Sequence, residues 1–397
     1  MPVLLLIVFI DMVGFGIVIP LLPFYAEHFG ASPLAVTSLM AVYSLMQFVT
    51  APLLGSISDR FGRRRVLLFS LFGAAVGYGL MAMANSLILL ILARGLAGAM
   101  AGNIAAAQAY IADITTPETR ARGMGMFGAV FGLGFIVGPS IGGLLAGGEA
   151  GAVNFALPLF AAAGTSVIAA LLVFVALPES AKSRPIETPN VPSVQRWLGP
   201  IAGALRQPGL AGLVIIFMLV VFAFSGLEST FALWAERQLA WGPRDVGYMF
   251  AGIGVVIVVV QGGLIGPMTK RLGEERVLLA GVTALAAGFV LLPVMQTPAA
   301  AAAAMALLAA GFGLANPSLQ SLVSRSAPPT GQGAALGVAQ SAASLGRIFG
   351  PIEAGALFTF GGRALPYFVS AAILIGVASV LWRRARLSAV SHSSANR

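Results

Sequence analysis

Long apolar stretches, each about the 20 residues needed to cross a bilayer core, recur along the chain and leave few folds open to it. They fall at 3–26, 34–54, 66–84, 87–111, 122–146 and 154–177, and again at 209–233, 244–268, 277–295, 299–323, 332–360 and 364–382. In lipid a spanning segment must satisfy its own backbone N–H and C=O groups, so each stretch is expected to be a helix. The expected class is an all-α membrane protein with twelve transmembrane helices. Composition agrees: 58% of residues are hydrophobic, 9% are charged and mean hydropathy is +0.94. A soluble domain of 397 residues needs far more charge to wet its surface. The first stretch carries Asp11 and no obvious small-residue cleavage site, so it reads as a retained helix rather than a signal peptide.

A charged turn, Gly55-Ser-Ile-Ser-Asp59-Arg60-Phe-Gly62-Arg63-Arg64-Arg65, lies between the second and third stretches and must sit in water. It returns as Gly266-Pro-Met-Thr-Lys270-Arg271-Leu-Gly273-Glu-Glu-Arg276, at a constant offset of 211. Ala26-Glu27 is answered by Ala235-Glu236, and Leu133-Gly134 with Gly138-Pro139 by Leu345-Gly346 with Gly350-Pro351. Half the chain therefore repeats the other half. The expected organisation is an N-terminal six-helix bundle over 1–177, a cytoplasmic connector over 178–208, a C-terminal six-helix bundle over 209–382 and a basic cytoplasmic tail over 383–397. Two pseudo-symmetric bundles facing each other around a central cavity is the plan of alternating-access carriers.

Net charge is +9, which raises the question of nucleic acid. Placement answers it: eighteen of the 23 Lys and Arg fall in segments on one side, three on the other and two inside apolar runs. That is the positive-inside asymmetry, so no nucleic-acid partner is expected and both termini are assigned to the cytoplasm. With no cysteine and only His28 and His392, neither a thiolate metal site nor a Ser-His-Asp triad can be assembled, and no enzyme activity is expected. No Gly-x-x-x-x-Gly-Lys-Ser/Thr loop is present to cradle ATP phosphates. Energy is expected from a proton gradient, with no cofactor.

Ionisable groups at membrane depth cost at least about 2.5 kcal/mol and are functional candidates. They are Asp11, Arg94, Glu228, Arg347 and Glu353. In a low-dielectric wall a carboxylate is penalised, so Asp11 and Glu228 are read as proton carriers. The plainer readings are a helix-end carboxylate bonded to its neighbours for Asp11 and a partner of a buried arginine for Glu228. Arg94 is expected to bond backbone carbonyls or an acid such as Asp11. Arg347 and Glu353 lie on different faces of one helix, so each needs a partner from another helix, and Arg347 is assigned a structural or gating role. Tyr43, Gln47, Asn103, Gln108, Gln261, Asn316, Gln320 and Gln340 are candidates to line a substrate cavity, or to act as interhelical glue. Phe15, Phe135, Phe224 and Phe231 would supply its apolar wall. Gly134, Gly138, Pro139, Gly142 and Gly143 leave one helix face without bulk, which predicts close helix contact and a local kink.

The turn at 55–65 resembles the signature of the major facilitator superfamily between its second and third helices. Arg94 with Gly95 and Gly98 is similar to a second motif of that family, and Gly134-x-x-x-Gly138-Pro139-x-x-Gly142-Gly143 resembles its antiporter motif. Asp11-Met-Val-Gly-Phe-Gly-Ile-Val-Ile-Pro20 and Leu45-Met-Gln47 look like the drug/proton antiporter branch with twelve helices, in particular its tetracycline-efflux members. The chain departs from those members at Val76-Gly77-Tyr78, at 255–260 and at Gly281-Val-Thr-Ala-Leu285, where they carry an acid, a His and an Asp. The resemblance implies proton-coupled export of amphiphilic small molecules or antibiotics from a bacterial inner membrane by a monomer. Asp11, Glu228 and Arg94 would handle the proton. It further implies that Asp59, Arg63 and Asp113 latch the cytoplasmic side in the outward-facing state; Arg60, Gly134, Gly138, Pro139, Gly142 and Gly143 are also assigned to gating. Because Lys270 replaces the acid in the second copy, that latch is expected on one side only. The competing readings are a metabolite symporter or uniporter and a non-transporting membrane receptor.

Overall fold

The computed structural model describes residues 1–147, 153–180, 208–327 and 331–395, and all regular elements among them are helical. In the first half these are α1 (Pro2–Val18), α2 (Leu22–His28), α3 (Pro33–Phe61), α4 (Arg63–Ala82), α5 (Leu87–Ala99), α6 (Asn103–Ile114), α7 (Pro117–Ala146) and α8 (Ala156–Ala176). The second half contains α9 (Pro208–Leu239), α10 (Pro243–Val259), a π-helical turn at Val260–Leu264, α11 (Ile265–Leu272), α12 (Glu274–Leu291), α13 (Pro298–Ser326), α14 (Gln332–Gly361) and α15 (Leu365–Ala395). Eleven spans among the described residues are long and apolar enough to cross a membrane. The twelfth expected stretch is α14, 30 residues long, which carries Gln340, Arg347 and Glu353 and is not among those eleven.

Helix starts follow from local chemistry. Ser32, Thr116 and Thr297 each precede a proline that opens a helix. The hydroxyls of Ser32 and Thr297 accept from the N–H groups of Ala35 and Ala300 at 3.3 Å, and Thr116 forms a capping box with Thr119. Proline has no N–H to lose at that position, and the hydroxyl satisfies one of the orphan donors. Gly62 and Gly273 end α3 and α11 at φ +104° and +83°, a backbone region that only glycine occupies cheaply.

Three expected spans are interrupted. The first breaks at 19–21 beside Pro20, the fourth at Met100–Gly102 and the eighth through the π turn around Gly262 and Gly263. The last helix runs past 382 through Arg383, Arg384 and Arg386 to Ala395, so the tail expected after 382 begins as helix. Most of the connector, 181–207, lies outside the described residues.

By contact the chain divides into two units, Met1–Glu187 with Ser229–Gly254, and Thr188–Glu228 with Val255–Arg397. The boundary therefore runs through α9 and α10. In the first unit α1 packs on both α7 and α8, while α4 packs on α8 and α5. Leu4, Ile7, Leu67, Leu71, Ile111 and Val173 share its core. The glycines of α7 meet α1: a Cβ on Gly138 would lie 2.6 Å from the Val13 carbonyl and 2.7 Å from the Gly16 Cα. On its other side Gly143 abuts Pro243 and Arg244, and Pro139 abuts Gly247. Lipid is as apolar as leucine, so such helices are held by close van der Waals packing, which small residues permit.

In the second unit α12 packs on α13 and α15, with Gly281 and Gly311 at the α12–α13 crossing. Gly346 and Gly350 of α14 press on Met218 and Phe222 of α9, reproducing the α7–α1 contact at the repeat-related positions.

Gly138→Ala is expected to destabilise the folded protein by about 1–3 kcal/mol, because the added carbon meets backbone on α1. Gly128→Ala, with nothing within 4 Å, should leave the thermal unfolding midpoint in detergent unchanged, and comparing the two midpoints checks this.

Candidate site for substrate and proton

Asp11 lies on α1 at 6% exposure, and its carboxylate accepts a hydrogen bond from the Asn103 side-chain amide. The break at Met100–Gly102 makes this possible by starting α6 at Asn103 beside α1. Asn103 is itself buried, so the structure places it at the Asp11 carboxyl.

Arg94, on α5, is 1% exposed and does not pair with Asp11. Its guanidinium sits 4.2 Å from the Tyr43 ring centre and 5.6 Å from that of Phe15, and Nη2 lies 3.7 Å from the Met40 sulfur. Nε and Nη1 have no hydrogen-bond partner among the described residues. The expectation that Arg94 bonds carbonyls or an acid is therefore corrected. Nine residues separate it from Asn103 and its neighbours are aromatic faces, so its charge is balanced by ring quadrupoles rather than by an anion.

From Tyr43 an aromatic row runs through Phe15 at 5.3 Å and Phe135 at 5.8 Å to Phe131 and Phe127. Phe127 and Phe131 did not figure in the sequence reading, although 127, 131 and 135 recur at the four-residue spacing of one helix face.

In the second unit Glu228 is half-buried on α9, with no hydrogen bond or ion pair among the described residues. Arg347 is close enough for the two charges to interact, yet its own hydrogen bond goes to Ser344 Oγ at 3.0 Å. Arg347 was expected to need a partner from another helix; Ser344, one turn back on α14, serves instead. Glu353 is half-buried and makes no hydrogen bond or ion pair among the described residues.

At the charged turn Arg63 is the hub. It pairs with Asp59, reaches Asp113 on α6 at 3.1 Å and donates to Ser58 at 3.2 Å. The residues after α8 close the cluster: Ser180 Oγ donates to Asp113 at 3.1 Å, and Glu179 accepts from the Arg64 N–H at 3.2 Å. That carboxylate occupies the space a Cβ on Gly62 would need. Glu179 and Ser180 were missed because they stand at the start of what reads as a loop. Arg60 lies outside this cluster, over the Phe61 ring.

The second copy carries an ion pair of its own, at other positions than Lys270. Glu274 at the start of α12 pairs with Arg325 near the end of α13 at 3.3 Å and accepts from Ser321 at 2.7 Å. The pair escapes a reading that checks Lys270 alone.

The remaining polar candidates are dispersed. Gln47 is half-buried, Gln108, Gln261 and Gln340 are exposed, and Gln320 donates to Asn316 at 3.3 Å. Phe224 stacks on Phe312. Phe231 is fully buried among Trp234, Trp241 and Phe250, which places it in packing rather than on a wall. At the far end of the first unit Arg237 pairs with Glu27 at 2.9 Å, beside the Ala26-Glu27 and Ala235-Glu236 repeat.

The family model of the Major Facilitator Superfamily matches residues 4–351 and 262–396. The chain is 35% identical over 399 aligned residues to the class C tetracycline resistance protein of Escherichia coli, covering 96% of each chain. It is 29% identical to multidrug resistance protein 1 of Bacillus subtilis (strain 168), again over 96% of each. Among solved structures it is similar to the human organic anion transporter MFSD10 (TETRAN), with TM-score 0.73, 23% identity and coverage of 96% of this chain and 98% of that one. The peptide transporter POT gives TM-score 0.80 at 13% identity, covering 97% and 94%. At those identities the structures establish the fold alone.

Asn103→Leu should cost about 1–3 kcal/mol of stability by stranding the buried Asp11 carboxyl, and Asp11→Leu in the same chain should recover part of it. A double-mutant cycle on thermal unfolding reads the coupling; strict additivity would show that the hydrogen bond contributes nothing.

Proposed function

The chain belongs to the major facilitator superfamily, and from that premise we propose that it is a proton-coupled antiporter exporting amphiphilic small molecules or antibiotics, tetracyclines included, across a bacterial cytoplasmic membrane. Full-length similarity to tetracycline and multidrug resistance proteins supports drug export as the activity. The one observation that carries the coupling is Glu228, a carboxyl on a membrane helix with no hydrogen-bond or ion-pair partner among the described residues. A carboxylate so placed is costly, and a proton or a cationic substrate relieves the cost. Binding of one and loss of the other are then linked through the same group.

In the proposed cycle drug binds from the cytoplasmic side while Glu228 is ionised, the site turns outward, and protonation there favours release and return. Asp11 already holds a hydrogen bond from Asn103, and Arg94 lies against the aromatic row that begins at Tyr43. Asp11 is assigned as a second acid able to carry the proton, and Arg94 as the charge that tunes its release. Asp59, Arg63 and Asp113 are assigned to the cytoplasmic latch. The distribution of Lys and Arg supports a cytoplasmic position for both termini.

One proton moving down a potential yields about 2.3 kcal/mol per 100 mV. A tenfold concentration ratio costs about 1.4 kcal/mol, so a single exchanged proton sustains more than one decade of export.

The test is expression in a pump-deficient bacterium with tetracycline and a panel of antibiotics and dyes, with and without a protonophore, followed by uptake into everted vesicles. Uptake driven by a pH gradient should be abolished by the protonophore and by Glu228→Gln with Asp11→Asn. Undiminished uptake in that double variant would remove the coupling assignment, and uptake in the opposite direction would favour a symporter.

A further inference from the structure

The latch triad has a counterpart in the second copy with each charge reversed. Asp59, Arg63 and Asp113 correspond to Lys270, Glu274 and Arg325 at offsets of 211, 211 and 212, the offsets that relate the two halves elsewhere. Acid, base, acid becomes base, acid, base. The architecture around the two sets is the same. Each central residue directly follows a glycine with positive φ, Gly62 or Gly273, and opens a helix. Each reaches across to the last turns of the neighbouring helix: Arg63 to Asp113 at 3.1 Å, Glu274 to Arg325 at 3.3 Å.

The reversal has an energetic consequence, because the helix ends themselves carry partial charge, positive at the N-terminus and negative at the C-terminus. In the first copy all three residues oppose it. Arg63 stands at the N-terminus of α4, Asp59 in the final turns of α3 and Asp113 near the end of α6. In the second copy all three agree with it. Glu274 is in the first turn of α12, Lys270 in the last turn of α11 and Arg325 in the last turn of α13.

The surroundings follow the same logic. The α4 N-terminus has no acid in its first turn and takes the Glu179 carboxylate from beyond α8, received by the Arg64 N–H. The α12 N-terminus supplies its own acids, Glu274 and Glu275, and Glu274 gains a further hydrogen bond from Ser321.

We infer that the two ion pairs have different jobs: Glu274–Arg325 is a fixed strut that positions α12 on α13, whereas Arg63–Asp113 is the pair that breaks during transport, because its charges are set against the helix ends that carry them. Glu274 and Arg325 are thus positioning residues. The inference rests on the proposed latch reading for its link to transport, but not for its ordering of strengths.

The triple variant Asp59→Lys, Arg63→Glu, Asp113→Arg gives the first copy the charges of the second. Its thermal unfolding midpoint in detergent should rise, and its maximal transport rate of tetracycline should fall about fivefold, with KM unchanged. The converse pair, Glu274→Arg with Arg325→Glu, keeps an ion pair but turns it against both helix ends, and its midpoint should fall below wild type. Neutral Glu274→Gln should lower the midpoint more than Arg63→Gln does, which provides the ordering if either charge-reversed protein fails to accumulate. Midpoints that do not move in these opposite directions, or a larger loss in Arg63→Gln than in Glu274→Gln, would overturn the assignment of strut and breakable pair. A raised midpoint with an unchanged transport rate would leave the ordering standing and overturn the role of the first pair in transport.

Discussion

Water cannot enter the hydrocarbon to solvate a charge or a backbone group, and the rest of this structure depends on that exclusion. It forces the backbone into helices, and it makes each buried ionisable side chain account for itself. The membrane-depth groups do so differently. Asp11 has an amide, Arg94 has aromatic faces and a sulfur, and Arg347 has a hydroxyl on its own helix. Glu228 has no such partner among the described residues. A group already compensated holds the structure together. One with no hydrogen bond, and only the charge of Arg347 nearby, is free to trade a proton for a ligand.

The same exclusion removes the usual reason for helices to associate, so packing has to come from shape. The glycines of α7 admit the backbone of α1 on one side and of Gly247 on the other, and α14 repeats the device against α9. The repeat thus preserves the steric code of the two halves while reversing the charges at the turns that follow α3 and α11. Steric complementarity tolerates little change, since one added carbon meets backbone. An ion pair retains its attraction when both signs are exchanged, and only the helix ends distinguish the two polarities.

Much of the fold was legible in the chain. Apolar length marked the spans, the offset of 211 marked the repeat, and the spacing of Gly134, Gly138 and Gly142 marked a bare helix face. The contact of Asp11 with Asn103 was not, because the residues stand 92 positions apart and their meeting depends on a break in the fourth span. Arg94 was misread for a related reason: sequence shows that a buried arginine needs compensation, but not that rings will provide it. Phe231 has the composition of a cavity wall, yet it sits within a cluster of three other aromatics that only the fold brings together. The second ion pair was within reach, since Lys270 and Glu274 stand at the offset of 211 and Arg325 at 212; reading the first position alone concealed it.

The claim that Glu228 exchanges a proton for substrate is tested most directly on the purified protein in weakly buffered detergent, with a pH indicator recording protons released when tetracycline is added. Wild type should release protons on binding, Asn103→Leu should still do so, and Glu228→Gln should bind tetracycline without release. Equal release from wild type and Glu228→Gln would contradict the account.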